Sequence, residues 1–300
     1  MLTLFILCHN RPDDARKAIA SAIAQSCTAD QLVISDNSTN DDVEQMAKTH
    51  FPHVQYVRRP AGLNAFEHFN LCIEEVATGH FCLFHDDDLM QPDFVETMNL
   101  AISRHPDAVA IGCNAYIHDH GILQEGLSFR TLGPSVTLQS ASELVEKYFG
   151  RNQSGIAPFP GYVYKKQIIH QTRFETHAGK YGDVAWLIQL CHRAPIVWVT
   201  APLMVYRLHG QNDGLTESRM DRLKLLGILK SPKTILAKGL LDDYRIAFIY
   251  KPLLQNKSAL GKRHTLAKSF LLKYRIARYF RGSTYQNLIS RARIKLGRAV

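Results

Sequence analysis

Over its first 113 residues the chain alternates short apolar runs with segments patterned like amphipathic helices, and this alternation restricts the fold more than any other feature. Residues 2–8, 32–35, 54–58, 81–84 and 108–113 are rich in Leu, Ile, Val and Phe and too short for buried helices, so they read as strands. Between them, Asp13 or Asp14 is expected to cap a helix running to about 25, and residues 41–49 form a second. Residues 65–77 form a third, with Gly79 just past its end, and Pro92 with Asp93 opens a fourth that runs to about 104. Strands separated by helices pair in parallel, because a long crossover returns the chain to the same end of the sheet. The expected fold class is α/β, a mostly parallel sheet flanked by helices. Ligands in such sheets bind beyond the carboxyl ends of the strands.

The pattern loosens from 121 to 161, where Gly, Pro and Ser recur and one helix is predicted over 140–149. It resumes with strands at 162–164, 196–200 and 203–208 and a helix over 183–191, and after about 215 the chain reads as helical and basic. Residues 1–220 hold 17 Lys and Arg against 24 Asp and Glu, whereas residues 221–300 hold 19 against 3, giving −7 and +16 within the net +9. An acidic body with a basic tail calls for an anionic partner. The six cysteines are scattered with no Cys-x-x-Cys pair, which argues against a cysteine metal site and for reduced thiols in a cytoplasmic protein. The run at 2–8 has no basic residues before it and Asn10-Arg11-Pro12 soon after it, the wrong flanks for a signal peptide. No stretch approaches the roughly 18 apolar residues of a membrane span.

The fourth strand ends in His85 and three consecutive carboxylates, Asp86, Asp87 and Asp88. Each raises the free energy of ionising its neighbours, so the cluster is either a solvated, helix-capping turn or the seat of a cation. Oxygen-only donors of this kind suit Mg²⁺ or Mn²⁺.

Four motifs occur in a telling order across about 1–210: "LFILCHNRPDDARKAIASAIAQS", "LVISDNST", "FHDDDLMQPDF", and the pair "YGDVAWLIQL" and "VYRLHGQN". Together they resemble the GT-A-fold, family 2 glycosyltransferases. The resemblance implies a GT-A domain over 1–215, with a nucleotide-sugar half at 1–115 and an acceptor half at 116–215, followed by a basic helical region at 216–300. It implies that Asp36 accepts a hydrogen bond from the nucleobase, although an Asx-type turn would use an aspartate equally well. The family usually has an aspartate where Ser35 stands. Asn10, Arg11 and the loop 59–70 become donor contacts, Asp86 faces the donor ribose, and Asp87 and Asp88 reach the metal. His209 either ligates that metal or bonds the diphosphate. Asp183 is either a bare helix cap or, as the resemblance implies, the base that takes the acceptor's proton.

The activity implied is inverting, Mg²⁺- or Mn²⁺-dependent transfer of a sugar from a UDP-, dTDP- or GDP-linked donor. The acceptor implied is a glycan or a polyprenyl-diphosphate-linked intermediate of surface-polysaccharide (lipopolysaccharide-type) synthesis. Residues 221–300 are expected to dock on anionic membrane at the inner face of the cell membrane. A nucleotidyltransferase acting on sugar phosphates is a rival, but "CHNRPDD" lacks the glycines of a phosphate loop. A non-catalytic nucleic-acid-binding protein is another; the tail shows no recognition motif, and no nucleic acid is expected.

Overall fold

The structure is a computed structural model, and it describes residues 1–150, 154–169, 172–210 and 218–250. Four parallel strands, β1 (Leu2–Cys8), β2 (Gln31–Asp36), β3 (Gln55–Arg58) and β4 (His80–His85), lie side by side in the order β3-β2-β1-β4. The chain steps outward from β1 to β3 and then returns to β4 on the other side of β1. That reversal opens a crevice between the carboxyl ends of β1 and β4, where open α/β sheets take their ligands. Leu7 stands opposite His85 in the register, so the turn after β1 and the three aspartates after β4 emerge together.

Period-2 alternation along buried strands sorts their side chains onto two faces. Leu2, Leu4, Ile6 and Cys8 pack with α1 (Pro12–Ile23), α2 (Asp42–His50) and α4 (Phe94–Arg104). Phe5 and Leu7 face α3 (Ala65–Glu75), α5 (Ala141–Phe149) and α7 (Gly182–Cys191). Leu2, Leu4 and Ile6 are completely buried, each contributing about 1.5–3 kcal/mol of apolar burial. This three-layer core fixes the strand ends that carry the site.

Beyond β4 the sheet becomes mixed. β9 (Tyr162–Lys165) runs antiparallel between β4 and β6 (Ala110–Asp119), and β6 pairs in parallel with β10 (Ile196–Leu208). The short β5 (Leu89–Met90), with β7 (Ile122–Leu127) and β8 (Ser135–Leu138), completes ten strands, and a helical turn α6 (Lys166–Ile169) follows β9. Several expected boundaries shift for local reasons. Pro12 takes the first position of α1, leaving Arg11 at the cap without a side-chain capping bond to the helix and Asp13 and Asp14 inside the first turn. The strands expected at 196–200 and 203–208 are one strand, with register shifts around Pro202 that absorb the proline in a bulge. The loosened stretch holds a hairpin: His120 and Gly121, with φ of 49° and 82°, form the two-residue turn between β6 and β7.

The boundary expected near 215 is not a break in the core. Leu225 and Leu229 of α8 (Arg219–Leu229) and Leu240 and Tyr244 of α9 (Leu240–Tyr244) share a core with Trp186 and Phe149, the Tyr244 and Phe149 rings lying 4.9 Å apart. Residues 251–300, most of the basic region, lie outside the described residues. No described helix is long and apolar enough to cross a membrane.

Candidate active site

The three aspartates surface where β4 ends, yet all are buried: Asp86 is 0% exposed, Asp87 7% and Asp88 1%. Each is held differently. Asp86 accepts the His9 N–H at 2.9 Å and Arg11 Nη2 at 2.5 Å. Burial, opposed by Arg11, pushes its carboxyl up to about 7. Asp87 Oδ2 meets Arg11 Nη1 at 2.7 Å and His209 Nε2 at 3.1 Å. Burial works to raise Asp87, but His85, Arg11 and His209 together hold it below the usual carboxylate range. Asp88 accepts the Arg207 N–H at 2.9 Å through Oδ1. Its Oδ2 is buried without a hydrogen-bond partner, and burial, helped by the neighbouring Asp87 charge, pushes this carboxyl well up.

That arrangement fits a divalent ion. His85, Asp87 and Asp88 present ligand atoms all within 4.8 Å of one another, a set of carboxylate oxygens plus one imidazole. Mg²⁺ and Mn²⁺ are hard cations for which such donors are suitable, and a buried carboxylate oxygen with no hydrogen-bond partner is one that a cation would satisfy. His85, a histidine beside three acids that reads in the sequence as a polar neighbour, stands within this group. Arg207 was missed, although it stands two residues before His209 and so points to the same side of an extended chain. Its Nε donates to the Asp87 carbonyl and its Nη1 to Asp14 at 3.1 Å, tying α1 and β10 to the acidic turn.

On the β2 side, Asp36 is fully buried with both oxygens engaged. Oδ1 accepts the Ser38 N–H at 2.8 Å, the Asx-type turn, and Oδ2 takes Tyr56 Oη at 2.7 Å and Arg58 Nη1 at 3.3 Å. In this conformation Asp36 holds the loop, and a base would have to displace Tyr56 or Arg58 to reach it. Asn10 is exposed with φ of 55°, and its Oδ1 accepts the Thr39 N–H at 2.9 Å, joining the loops after β1 and β2. Arg59 does not face the donor side as expected. It is 5% exposed, doubly bonded to Glu75 at 2.5 and 2.6 Å, and donates to Ser35 Oγ at 2.8 Å. Ser35 also meets His68 at 2.7 Å, and burial, with Arg59 nearby, drives that imidazole down to about 3, so it is neutral.

Asp183 stands on the first turn of α7, and it is not the cap. Tyr181 occupies the cap position, and Asp183 Oδ1 accepts the adjacent Val184 N–H at 2.7 Å. Its side chain is half-buried, and burial pushes its carboxyl up to about 6. Burial first, and then the charges of Asp88, Asp87 and Asp183, raise the Tyr206 phenol. Glu175, the acid preceding Asp183 in the chain, is exposed and paired with His177 at 2.9 Å.

Residues 3–159, just over half of the chain, match the family described as glycosyl transferase family 2. The chain belongs to glycosyl transferase family 2. Across 99% of its length this glycosyltransferase is 24% identical to the uncharacterized glycosyltransferase YibD of Escherichia coli (strain K12), covering 89% of that protein. It is 23% identical to glycosyltransferase GlyA of Streptococcus pneumoniae serotype 4 over 92% of the chain and 41% of that longer protein. Staphylococcus aureus TarS 1–349 shares the fold at a TM-score of 0.63 with 11% identity, covering 89% of this chain and 78% of TarS 1–349, and was also solved with UDP-GlcNAc. The mannosyltransferase PcManGT of Pyrobaculum calidifontis, solved with GDP-Man and Mn²⁺, superposes at 0.56 with 14% identity over 98% of this chain and 86% of its own. Asn10, Arg11, Asp36 and the acidic turn of this glycosyltransferase fall inside the family match. Asp183, Arg207 and His209 lie beyond it, and the fold brings Arg207 and His209 onto the turn.

Proposed function

We propose that this glycosyltransferase transfers one sugar, with inversion, from a nucleotide-sugar donor to a hydroxyl of a glycan or lipid-linked acceptor, in a divalent-metal-dependent reaction. The observation that carries the reading is Asp88 Oδ2, a buried, unpartnered carboxylate oxygen beside Asp87 and His85 at the switch point of a family 2 domain. Asp87, Asp88 and His85 would hold the ion, with His209 on Asp87. A bound Mg²⁺ or Mn²⁺ would supply neutralising charge for the departing nucleoside diphosphate.

The protein's own groups divide the remaining work. Asn10 ties the loops around the donor side, and Asp36 holds the second of them in shape. Arg11, a planar fork suited to phosphate oxygens, takes part of the negative charge of the leaving group. Asp183 accepts the proton of the acceptor hydroxyl while that oxygen bonds to the anomeric carbon and the bond to the diphosphate breaks. A carboxyl raised to about 6 is ionised at neutral pH yet more basic than an ordinary aspartate, which suits a general base. Attack from the face opposite the leaving group inverts the anomeric centre. The basic region 221–300 is the part that would bring the enzyme to an anionic membrane bearing a lipid-linked acceptor.

A donor screen tests this reading. UDP-, dTDP- and GDP-sugars are incubated with the enzyme and Mn²⁺ or Mg²⁺, and nucleoside diphosphate release is followed with and without EDTA. Metal-dependent release from one donor class is expected, and NMR of the released sugar then reports inversion. No release from any donor, with any metal, contradicts it.

A further inference from the structure

The acidic turn is already neutralised from within. Arg11 places Nη2 2.5 Å from Asp86 Oδ1 and Nη1 2.7 Å from Asp87 Oδ2, with only 27% of its side chain exposed. The same Asp87 oxygen receives His209 Nε2 at 3.1 Å. An ion coming to Asp87 and Asp88 therefore meets a guanidinium within hydrogen-bond distance of one of its own ligands. Guanidinium does not shed its proton at any working pH, so this charge can be removed only by moving it. Arg11 sits in the turn before Pro12, at the crevice, where an arriving diphosphate would offer the fork a second set of oxygens.

We propose that Arg11 is the built-in counter-ion of this site. In the free enzyme it occupies Asp87, a carboxylate that a divalent ion needs, and the donor's diphosphate draws it away, so that metal and donor bind together rather than metal first. The inference rests on the metal-dependent reading above. Affinity for metal alone is lowered by the fraction of molecules in which Arg11 is in place, and a ligand that removes Arg11 restores it. The coupling is reciprocal, so metal must tighten diphosphate binding by the same factor. The opposing arrangement is a permanent strut: Arg11 stays on Asp86 and Asp87, and the ion sits beside it on His85, Asp87 and Asp88.

Mn²⁺ titration read by the electron paramagnetic resonance of the free ion separates the two, with no catalysis involved. The full chain, Arg11→Met and Arg11→Lys are titrated with Mn²⁺ alone and again with UDP or GDP present. Arg11→Met is expected to bind Mn²⁺ alone about tenfold tighter than the natural protein and to gain less from the nucleotide. Arg11→Lys, a point charge that cannot bridge two carboxylates, should fall between them. Equal or weaker Mn²⁺ binding by Arg11→Met, with a melting curve showing that it is folded, overturns the inference. Should Arg11→Met not fold, Arg11→Lys decides: tighter binding of Mn²⁺ alone supports the counter-ion, and unchanged or weaker binding overturns it. If no variant binds Mn²⁺ under any condition, the metal-dependent reading falls and takes the inference with it. If all bind Mn²⁺ equally well, the metal-dependent reading stands and only the counter-ion is lost.

Discussion

A carboxylate on the first turn of a helix can stabilise the helix or serve chemistry, and we propose the second for Asp183. It accepts the adjacent Val184 N–H, and burial lifts its carboxyl to about 6. Asp183→Asn should lower transfer by about 10²–10⁴-fold while leaving donor affinity almost unchanged. Because the base must be ionised, transfer by the natural enzyme should fall as pH drops through about 6. The stability effect has the opposite sense. A folded-state value above the unfolded one means that the ionised carboxylate destabilises the fold once pH rises past that window. Asp183→Asn should therefore raise, or at least not lower, the melting temperature at pH 8, whereas a pure cap would lose stability in Asp183→Ala. Measuring kcat, donor affinity and melting temperature on both variants settles the assignment. The acidic turn was legible in the sequence, because three like charges after an apolar run need an explanation. Arg207 was not, since an arginine in a strand announces nothing until its partners, Asp14 and the Asp87 carbonyl, are known. Arg59 misled for a related reason: its bidentate partner Glu75 lies one element away and cannot be paired with it by spacing alone.

The strands buried on both faces, β1 and β4, could be read from the chain because each is a short unbroken apolar run. β7 could not. Every one of its residues is exposed, so no alternation of burial marks it, and only the His120–Gly121 turn betrays the hairpin. β10 was split in two by Pro202, whose disruption the fold confines to a bulge. The start of α7 shows how closely the elements around Asp183 are fitted. Gly182 lies directly under the Phe66 ring, and a Cβ there would overlap it. Phe66 in turn stacks on Phe174 with ring centroids 5.8 Å apart, so it has little freedom to yield. Gly182→Ala should cost about 1–3 kcal/mol by overpacking and should displace Asp183 with the helix start. Chemical denaturation and transfer assays on this variant are expected to show both losses, and an unchanged unfolding midpoint would show that the contact is slack.

Across the whole molecule, charge is divided unequally: residues 221–300 hold 19 basic and 3 acidic residues. Part of that region, through α9, packs into the same core as α5 and α7, so what remains for a partner is mainly 251–300, beyond the described residues. Attraction to anionic lipid of about 1 kcal/mol per basic residue near the surface, screened by salt, should float the full chain with phosphatidylserine vesicles at low salt and release it at high salt. Failure to float even at low salt would remove the membrane from the account. Calorimetry can show whether a nucleoside diphosphate and a divalent ion meet on the acidic turn between β1 and β4. UDP, dTDP and GDP are titrated into the natural protein and Asp87→Ala, each with Mn²⁺ and with EDTA. One nucleotide should bind the natural protein with Mn²⁺ and weakly or not at all with EDTA, and Asp87→Ala, still folded, should lose this difference. Equal affinity with Mn²⁺ and with EDTA in the natural protein would contradict this prediction.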